Sequence, residues 1–298
     1  MAGGLCRIVV RRHALARFRR EGACRRARPV RPAGTALRRL VNKGKSDLGT
    51  RAIVAIALIG LAAVALWAGG LGFWLVIAAV ALLMMAEWAG LSGASPREKR
   101  LAQYALVVPL AIMAPGLAAG PGFLALGLVI GAAFFIAAVT RKGQLAVGVV
   151  YSGLPVLALL ALREHPSHGL LYTFWAMALV WVCDTGAYFA GRAIGGPRLA
   201  PLISPNKTWA GLIGGVACAG VFAAVLVVAF GLPVVLALAT PVLAMLAQLG
   251  DLFESHLKRC AGVKDSGNLL PGHGGILDRL DGLVAVAPFA ALLVLMAA

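Results

Sequence analysis

From Arg51 onward the chain is a succession of apolar runs, each near the ~20 residues that a helix needs to cross ~30 Å of hydrocarbon. They fall at 51–69, 71–88, 102–119, 121–140, 145–162, 169–191, 210–231, 233–251 and 282–298, nine in all, the last being short for a full crossing. Within a bilayer every backbone polar group must be paired inside its own segment, so such runs can only be helices. The chain is 61% apolar and 13% charged, against about 25% charged for a soluble domain. The expected fold is therefore all-α, a polytopic transmembrane bundle of about nine spans. Short breaks at Gly69-Gly70 and Gly120-Pro121 predict tight helical hairpins.

The formal charge of +17 suggests nucleic acid until it is divided along the chain. Residues 1 to 47 carry 14 Lys/Arg against only Glu21 and Asp47, and the other 251 residues carry 14 Lys/Arg against nine acids. The basic balance belongs to the N-terminus, and no nucleic-acid partner is implied. Residues 1–47 lack an apolar face and read as a basic, disordered tail. Weak contact with anionic lipid, an organellar transit peptide and a start upstream of the real one remain open for it. Residues 48–168 form an N-terminal set of spans, and 169–298 a C-terminal set whose loops carry the polar chemistry. Of the 14 cations after residue 47, only Arg163 falls outside if the N-terminus is cytoplasmic, so the C-terminus is expected to be external. Five scattered cysteines offer neither a disulfide framework nor a zinc site.

Of the chain's 11 acids, five lie within the 32 residues from Gly250 to Asp281: Asp251, Glu254, Asp265, Asp278 and Asp281. Lys258, Arg259, Lys264, Arg279, His256 and His273 are interleaved with them. Asp251 and Glu254 are three apart, as are Asp278 and Asp281, so each pair shares a helical face if its segment is helical. Brought together, such pairs suit Mg²⁺, which takes a few carboxylates plus phosphate oxygens. Glu254 and His256 are not required by that argument, and an ordinary ion pair of Lys258 with Glu254 is the alternative. The turn Pro271-Gly272-His273-Gly274-Gly275 lets N–H groups approach an anion closely, and His273 could donate to it.

Two upstream stretches share the face of this cluster. Asp184 lies about two turns before the end of the sixth span, where an ionisable group costs ~2.5–3.5 kcal/mol on insertion scales and is usually functional or paired. The following loop holds Arg192, Arg198 and Ser204-Pro205-Asn206-Lys207-Thr208 before a new helix, the parts of an anion-binding loop. It lacks the P-loop spacing, and the positive-inside rule alone would also explain its cations.

The run S-x-L-K-R-x-x-x-x-K-D-x-G-x-x-L-P-G-H-G-G-x-x-D-R-x-D, from Ser255 to Asp281, resembles the signature of phosphatidate cytidylyltransferases. The resemblance continues through Asp184-x-x-Ala187-Tyr188-x-x-Gly191-Arg192, Ser204-Pro205-Asn206-Lys207-Thr208-Trp209-x-Gly211 and Gln248-x-Gly250-Asp251-Leu252, and covers about 170 to 283. The first five spans match in hydropathy rather than in motif. The resemblance implies a membrane enzyme that joins CTP and phosphatidic acid into CDP-diacylglycerol and pyrophosphate. It implies Mg²⁺ at Asp251 and Asp278, with a monovalent cation as a further candidate. It makes Asp251, Asp278, Asp281, Lys258, Lys264, Asp265, His273 and Arg279 the catalytic set. Asp184, Arg192, Ser204, Asn206, Lys207, Thr208, Arg259, Gly274 and Gly275 become the substrate and phosphate-binding set. The partners implied are CTP, phosphatidic acid and membrane lipids, with a second copy of the chain a further candidate. The location expected is a bacterial inner membrane with the site on its cytoplasmic face.

A CDP-alcohol phosphatidyltransferase would need D-G-x-x-A-R, but Asp281-Gly282 is followed by Leu283-Val284-Ala285-Val286. A cytidylyltransferase acting on another lipid phosphate is the closer alternative. An ion-coupled transporter would carry its charges near the bilayer midplane, whereas here they crowd at one face.

Overall fold

A computed structural model describes residues 53–269 and 274–297. The fold is that of the unit Ile53–Ala298, and the expectation for the tail falls outside the described residues. The described chain is helical as expected: α1 (Ile53–Ala68), α2 (Gly70–Leu91), α3 (Pro96–Ile112), α4 (Phe123–Thr140), α5 (Gly143–Arg163), α6 (Gly169–Ile194), α7 (Trp209–Phe230), α8 (Val234–Cys260) and α9 (Leu277–Ala297). Each apolar run corresponds to one helix. Seven of them are long and apolar enough to cross a membrane; α1 and α3 are shorter. The protein is an integral membrane protein.

Helix α3 starts six residues before its apolar run. Ser95 caps it in a capping box with Glu98, and Pro96 takes the first turn, where its missing N–H costs nothing. The loop between α6 and α7 is not merely a loop. It folds into an antiparallel ribbon of β1 (Arg198–Ala200) and β2 (Ser204–Thr208), in which Arg198 faces Thr208 and Ala200 faces Ser204.

One core runs through both halves of the bundle, with Phe73, Trp175 and Val286 all buried in it. Small residues bring α6 and α7 together, as is common where lipid offers no hydrophobic drive: a Cβ on Gly186 would meet Cys218, and one on Gly215 would meet the Cys183 carbonyl at 2.6 Å. At one end of the bundle Arg163 donates to the Leu66 carbonyl at 3.0 Å. At the opposite end Lys142 donates to Glu98 at 2.8 Å. The C-terminus of α2, the β-ribbon, the end of α8 and the start of α9 share the Lys142 end. The lone outlying cation of the charge count is thus separated from the other described cations by the bundle itself.

Candidate active site

The polar residues at this end fall into two linked groups. The first joins α6, β2 and α8. The Lys207 ammonium leaves the ribbon to lie 2.6 Å from Asp251 Oδ2. It also donates to Gln248 Oε1 at 3.0 Å, and the Gln248 amide donates in turn to Asp184 Oδ1 at 2.9 Å. Ser255 Oγ donates to Asp251 Oδ1 at 3.2 Å. Asp281 on α9 lies in the field of Asp251 and Asp184, with Lys207 the cation among them. Helices α8 and α9 can approach so closely because residue 250 is glycine; a Cβ there would sit 2.6 Å from the Asp281 carbonyl and 2.8 Å from the Ala285 methyl. Three carboxylates therefore share one ammonium, a surplus of negative charge that calls for a cation.

The second group is one helical turn away. Lys258 Nζ lies 2.6 Å from Asp278 Oδ1 and 3.2 Å from Glu254 Oε1. Glu254 is fully buried, and neither of its oxygens accepts a hydrogen bond. Asp278 Oδ2 accepts three: from Ser266 N at 2.9 Å, Ser266 Oγ at 3.0 Å and Gly275 N at 2.8 Å. Gly274, with φ of 83°, supplies the left-handed step that turns the chain into this cradle. The cradle is anchored from the far side by Glu87 at the end of α2. Its carboxylate accepts from Ile276 N at 3.0 Å and Leu277 N at 2.8 Å, and it shares with Asp278 the single proton of Ser266 Oγ, 3.0 Å from each. It thereby satisfies backbone donors at the start of α9 that have no helical partner. The carboxylate fits because residues 267 and 275 are glycines; side chains there would meet it at 2.6 and 2.5 Å.

The carboxylate pairs expected on common faces of α8 and α9 thus divide between the groups, Asp251 and Asp281 to the first, Glu254 and Asp278 to the second. Several other predicted residues lie at the rim. Arg192 is exposed and donates to the Tyr188 hydroxyl at 3.0 Å. Arg259 is exposed and reaches the Ile203 carbonyl at 3.4 Å, tying α8 to the ribbon. Lys264 and Asp265 are exposed in the loop after α8, and Arg279 is exposed on the first turn of α9. On β2, Ser204 is half-buried and Asn206 exposed. The Thr208 hydroxyl caps α7, accepting from Gly211 N at 3.1 Å. Gly275 serves Asp278 through its N–H. His273 lies outside the described residues.

Glu87, Gln248 and Ser266 were not among the predicted site residues. Gln248 stands in the motif stretch and could have been chosen there. Glu87 ends an apolar run with no local pattern around it, and its partners lie 179 to 190 residues away.

Among the described residues no three His, Cys, Asp or Glu side chains close around a common point as a ready metal cage. A cage is not what Mg²⁺ requires; it usually keeps one or two carboxylates and takes the rest from substrate phosphates and water. Asp251 and Asp278 each already face a cation, a lysine ammonium at 2.6 Å, and the surplus of acids in both groups suits a divalent ion arriving with a polyphosphate. The donor set fits.

The family model described as "Cytidylyltransferase family" matches residues 49–297 of the chain. A protein of Brucella suis biovar 1 (strain 1330) named phosphatidate cytidylyltransferase is 43% identical over 254 residues, covering 81% of this chain and 91% of its own. One of Brucella abortus (strain 2308) with the same name shows the same identity and coverage. A third, of Bacillus subtilis (strain 168), is 45% identical over 150 residues, 49% of this chain and 56% of its own. The likeness extends well upstream of residue 170, where the motifs begin.

Proposed function

This chain belongs to the cytidylyltransferase family, and we propose that it transfers the cytidylyl group of CTP to phosphatidic acid, giving CDP-diacylglycerol and pyrophosphate. The observation that carries this reading is the 43% identity to phosphatidate cytidylyltransferases over nearly their whole length. The paired acid and lysine groups at one end of a membrane bundle agree with it. The enzyme is a nucleotidyltransferase of phospholipid synthesis. A phosphate oxygen of phosphatidate attacks the α-phosphorus of CTP, a new P–O bond forms, and the bond to the β-phosphate oxygen breaks. The attacking oxygen is largely ionised at pH 7, since the second pKa of such a phosphate is near ~6, so no strong base is needed.

The obstacle is that two anions must meet, and the chain's own residues address it by placing fixed cations. Lys207 and Lys258 are held by carboxylates rather than left mobile, so the substrate phosphates meet cations already in place. Arg192, Arg259, Lys264 and Arg279 at the rim attract the triphosphate. The ribbon residues Ser204 and Asn206 and the turn at Gly274 and Gly275 border its path. Asp278, through its contacts with Ser266 and Gly275, fixes the loop that carries them. Asp251 and Asp278 are the residues we assign to Mg²⁺, with Asp184 and Asp281 adjoining and a monovalent cation a further candidate. Mg²⁺ bound there would neutralise the phosphates and the departing pyrophosphate.

The location we propose is the bacterial inner membrane, with this end of the bundle in the cytoplasm, where CTP is. The lipid then enters laterally from the inner leaflet. Pairing of two copies belongs to the same proposal and is read by light scattering in detergent. The test of the activity is incubation of purified protein with radiolabelled CTP, phosphatidate and Mg²⁺. Label in a lipid-soluble cytidine product supports the reading, and label that stays in the aqueous phase contradicts it.

A further inference from the structure

We infer that the groove between α5 and α9 seats one acyl chain of the lipid substrate, with the Tyr151 hydroxyl at its polar end. The inference rests on the reading just proposed and adds a lipid subsite to it. The groove has a volume of about 490 Å³ and opens to the bilayer between two helix faces. Its walls are hydrocarbon, with Leu154 and Pro155 on α5 facing Ala285, Pro288 and Leu292 on α9. It runs from Val147 to Pro155 on one side and from Val284 to Leu292 on the other, about 12 Å at the rise of an α-helix. That is most of the ~15 Å depth of one leaflet's hydrocarbon.

Any bilayer lipid could wet such a wall; the polar end is what selects the substrate. Ala285 is one helical turn beyond Asp281, and a Cβ at Gly250, next to Asp251, would touch its methyl. The groove therefore begins where the acid cluster stops. Tyr151 stands at that junction. Its ring lines the groove and packs on Trp88 and Phe253 at centroid distances of 4.7 and 6.0 Å. Its hydroxyl is buried without a hydrogen-bond partner, in the field of Glu254, Asp281 and Asp251. A buried hydroxyl is costly to leave unpaired, and tyrosines in such places usually find an acceptor. The ester and phosphate oxygens of a phosphatidate lying with its head at the acids and one chain in the groove supply it.

The test compares dihexanoyl with dioleoyl phosphatidate as substrates in mixed micelles, at saturating CTP, for the wild type, Leu154→Trp, Ala285→Leu and Tyr151→Phe. The ratio of kcat/KM for the long lipid to that for the short one is internal to each enzyme, so loss of folded protein does not move it. Filling the groove with Leu154→Trp or Ala285→Leu should lower that ratio about tenfold, the scale of a few lost methylene contacts. Tyr151→Phe should lower kcat/KM for both lipids alike and leave the ratio in place. An unchanged ratio in both groove variants, with turnover intact, overturns this inference alone. So does a change of oligomeric state without a change of ratio, because a second copy then covers the face. Wild-type enzyme that makes product from neither lipid overturns the functional reading and this inference together.

Discussion

The carboxylate of Glu87, at the end of α2, accepts the backbone N–H of Leu277 at 2.8 Å across 190 residues of chain. It also holds Ser266 Oγ at 3.0 Å, and Ser266 in turn holds Asp278. The first half of the bundle therefore does more than anchor the chain in lipid; it fixes the loop that positions a proposed metal ligand.

Glu87→Ala should leave this end of α9 without its acceptor and free Ser266 and Ile276 from their anchor. We expect kcat to fall by more than tenfold with little change in the KM for CTP, the pattern of a lost positioning contact. Glu87→Gln, which keeps one carbonyl acceptor, should recover part of the loss. Steady-state kinetics on both variants decide this, and equal kinetics for Glu87→Ala and the wild type contradict it.

The ammonium of Lys258 is shared by Glu254 and Asp278, side chains that are 0% and 7% exposed, while its own is 12% exposed. Removing it in Lys258→Ala leaves two buried carboxylates without their cation, Asp278 keeping only its donors from Ser266 and Gly275, a loss of about 3–5 kcal/mol by the usual scale for breaking such a pair. Glu254→Gln instead removes a surplus charge whose oxygens accept no hydrogen bond, so its melting temperature in detergent should equal or exceed that of the wild type. Thermal unfolding of the two variants side by side should separate them widely. Equal melting temperatures would show that the pair does not hold this end together.

The hydropathy runs and the helices correspond one to one because burial in hydrocarbon depends on composition, which sequence displays directly. The ends of the helices were harder to read for the same reason. Helix α8 continues to Cys260 and α9 begins at Leu277, beyond the apolar runs, because both carry their charged residues out of the hydrocarbon on helical turns. The capping box at Ser95 was a readable signal for the early start of α3. The β-ribbon was not, being strands of three and five residues with Pro205 inside. In the site, the acids of the motif stretch were legible as a cluster, but not which lysine each would meet. Lys207 stands on β2 and Asp251 on α8, and no local spacing connects them.

The proposed orientation rests on the cation count and on the placement of Arg163 at the end of the bundle opposite Lys142. A reporter inserted beside Lys264 should behave as cytoplasmic, and one fused after Ala298 as external. An exported Lys264 reporter would separate the site from CTP and defeat the proposed reaction.

Lys207 is held between Asp251 and Gln248 at 2.6 and 3.0 Å. If it grips substrate phosphate, Lys207→Ala should chiefly raise the apparent KM for CTP or phosphatidate, as loss of ground-state binding does. A fall in kcat at unchanged KM for both substrates would instead assign the lysine to the transition state.

The central claim is that Asp251 and Asp278 hold the ion against which CTP and phosphatidate react, and cytidylyl transfer by correctly inserted Asp251→Asn and Asp278→Asn protein tests it most directly. Both changes keep size and hydrogen-bonding capacity and remove only charge. Each should lower transfer at least ~10²-fold, the scale for removing one strong electrostatic stabiliser, with part of the loss returning in excess Mg²⁺ or Mn²⁺. Near-normal transfer by either variant at ordinary Mg²⁺ would contradict the account.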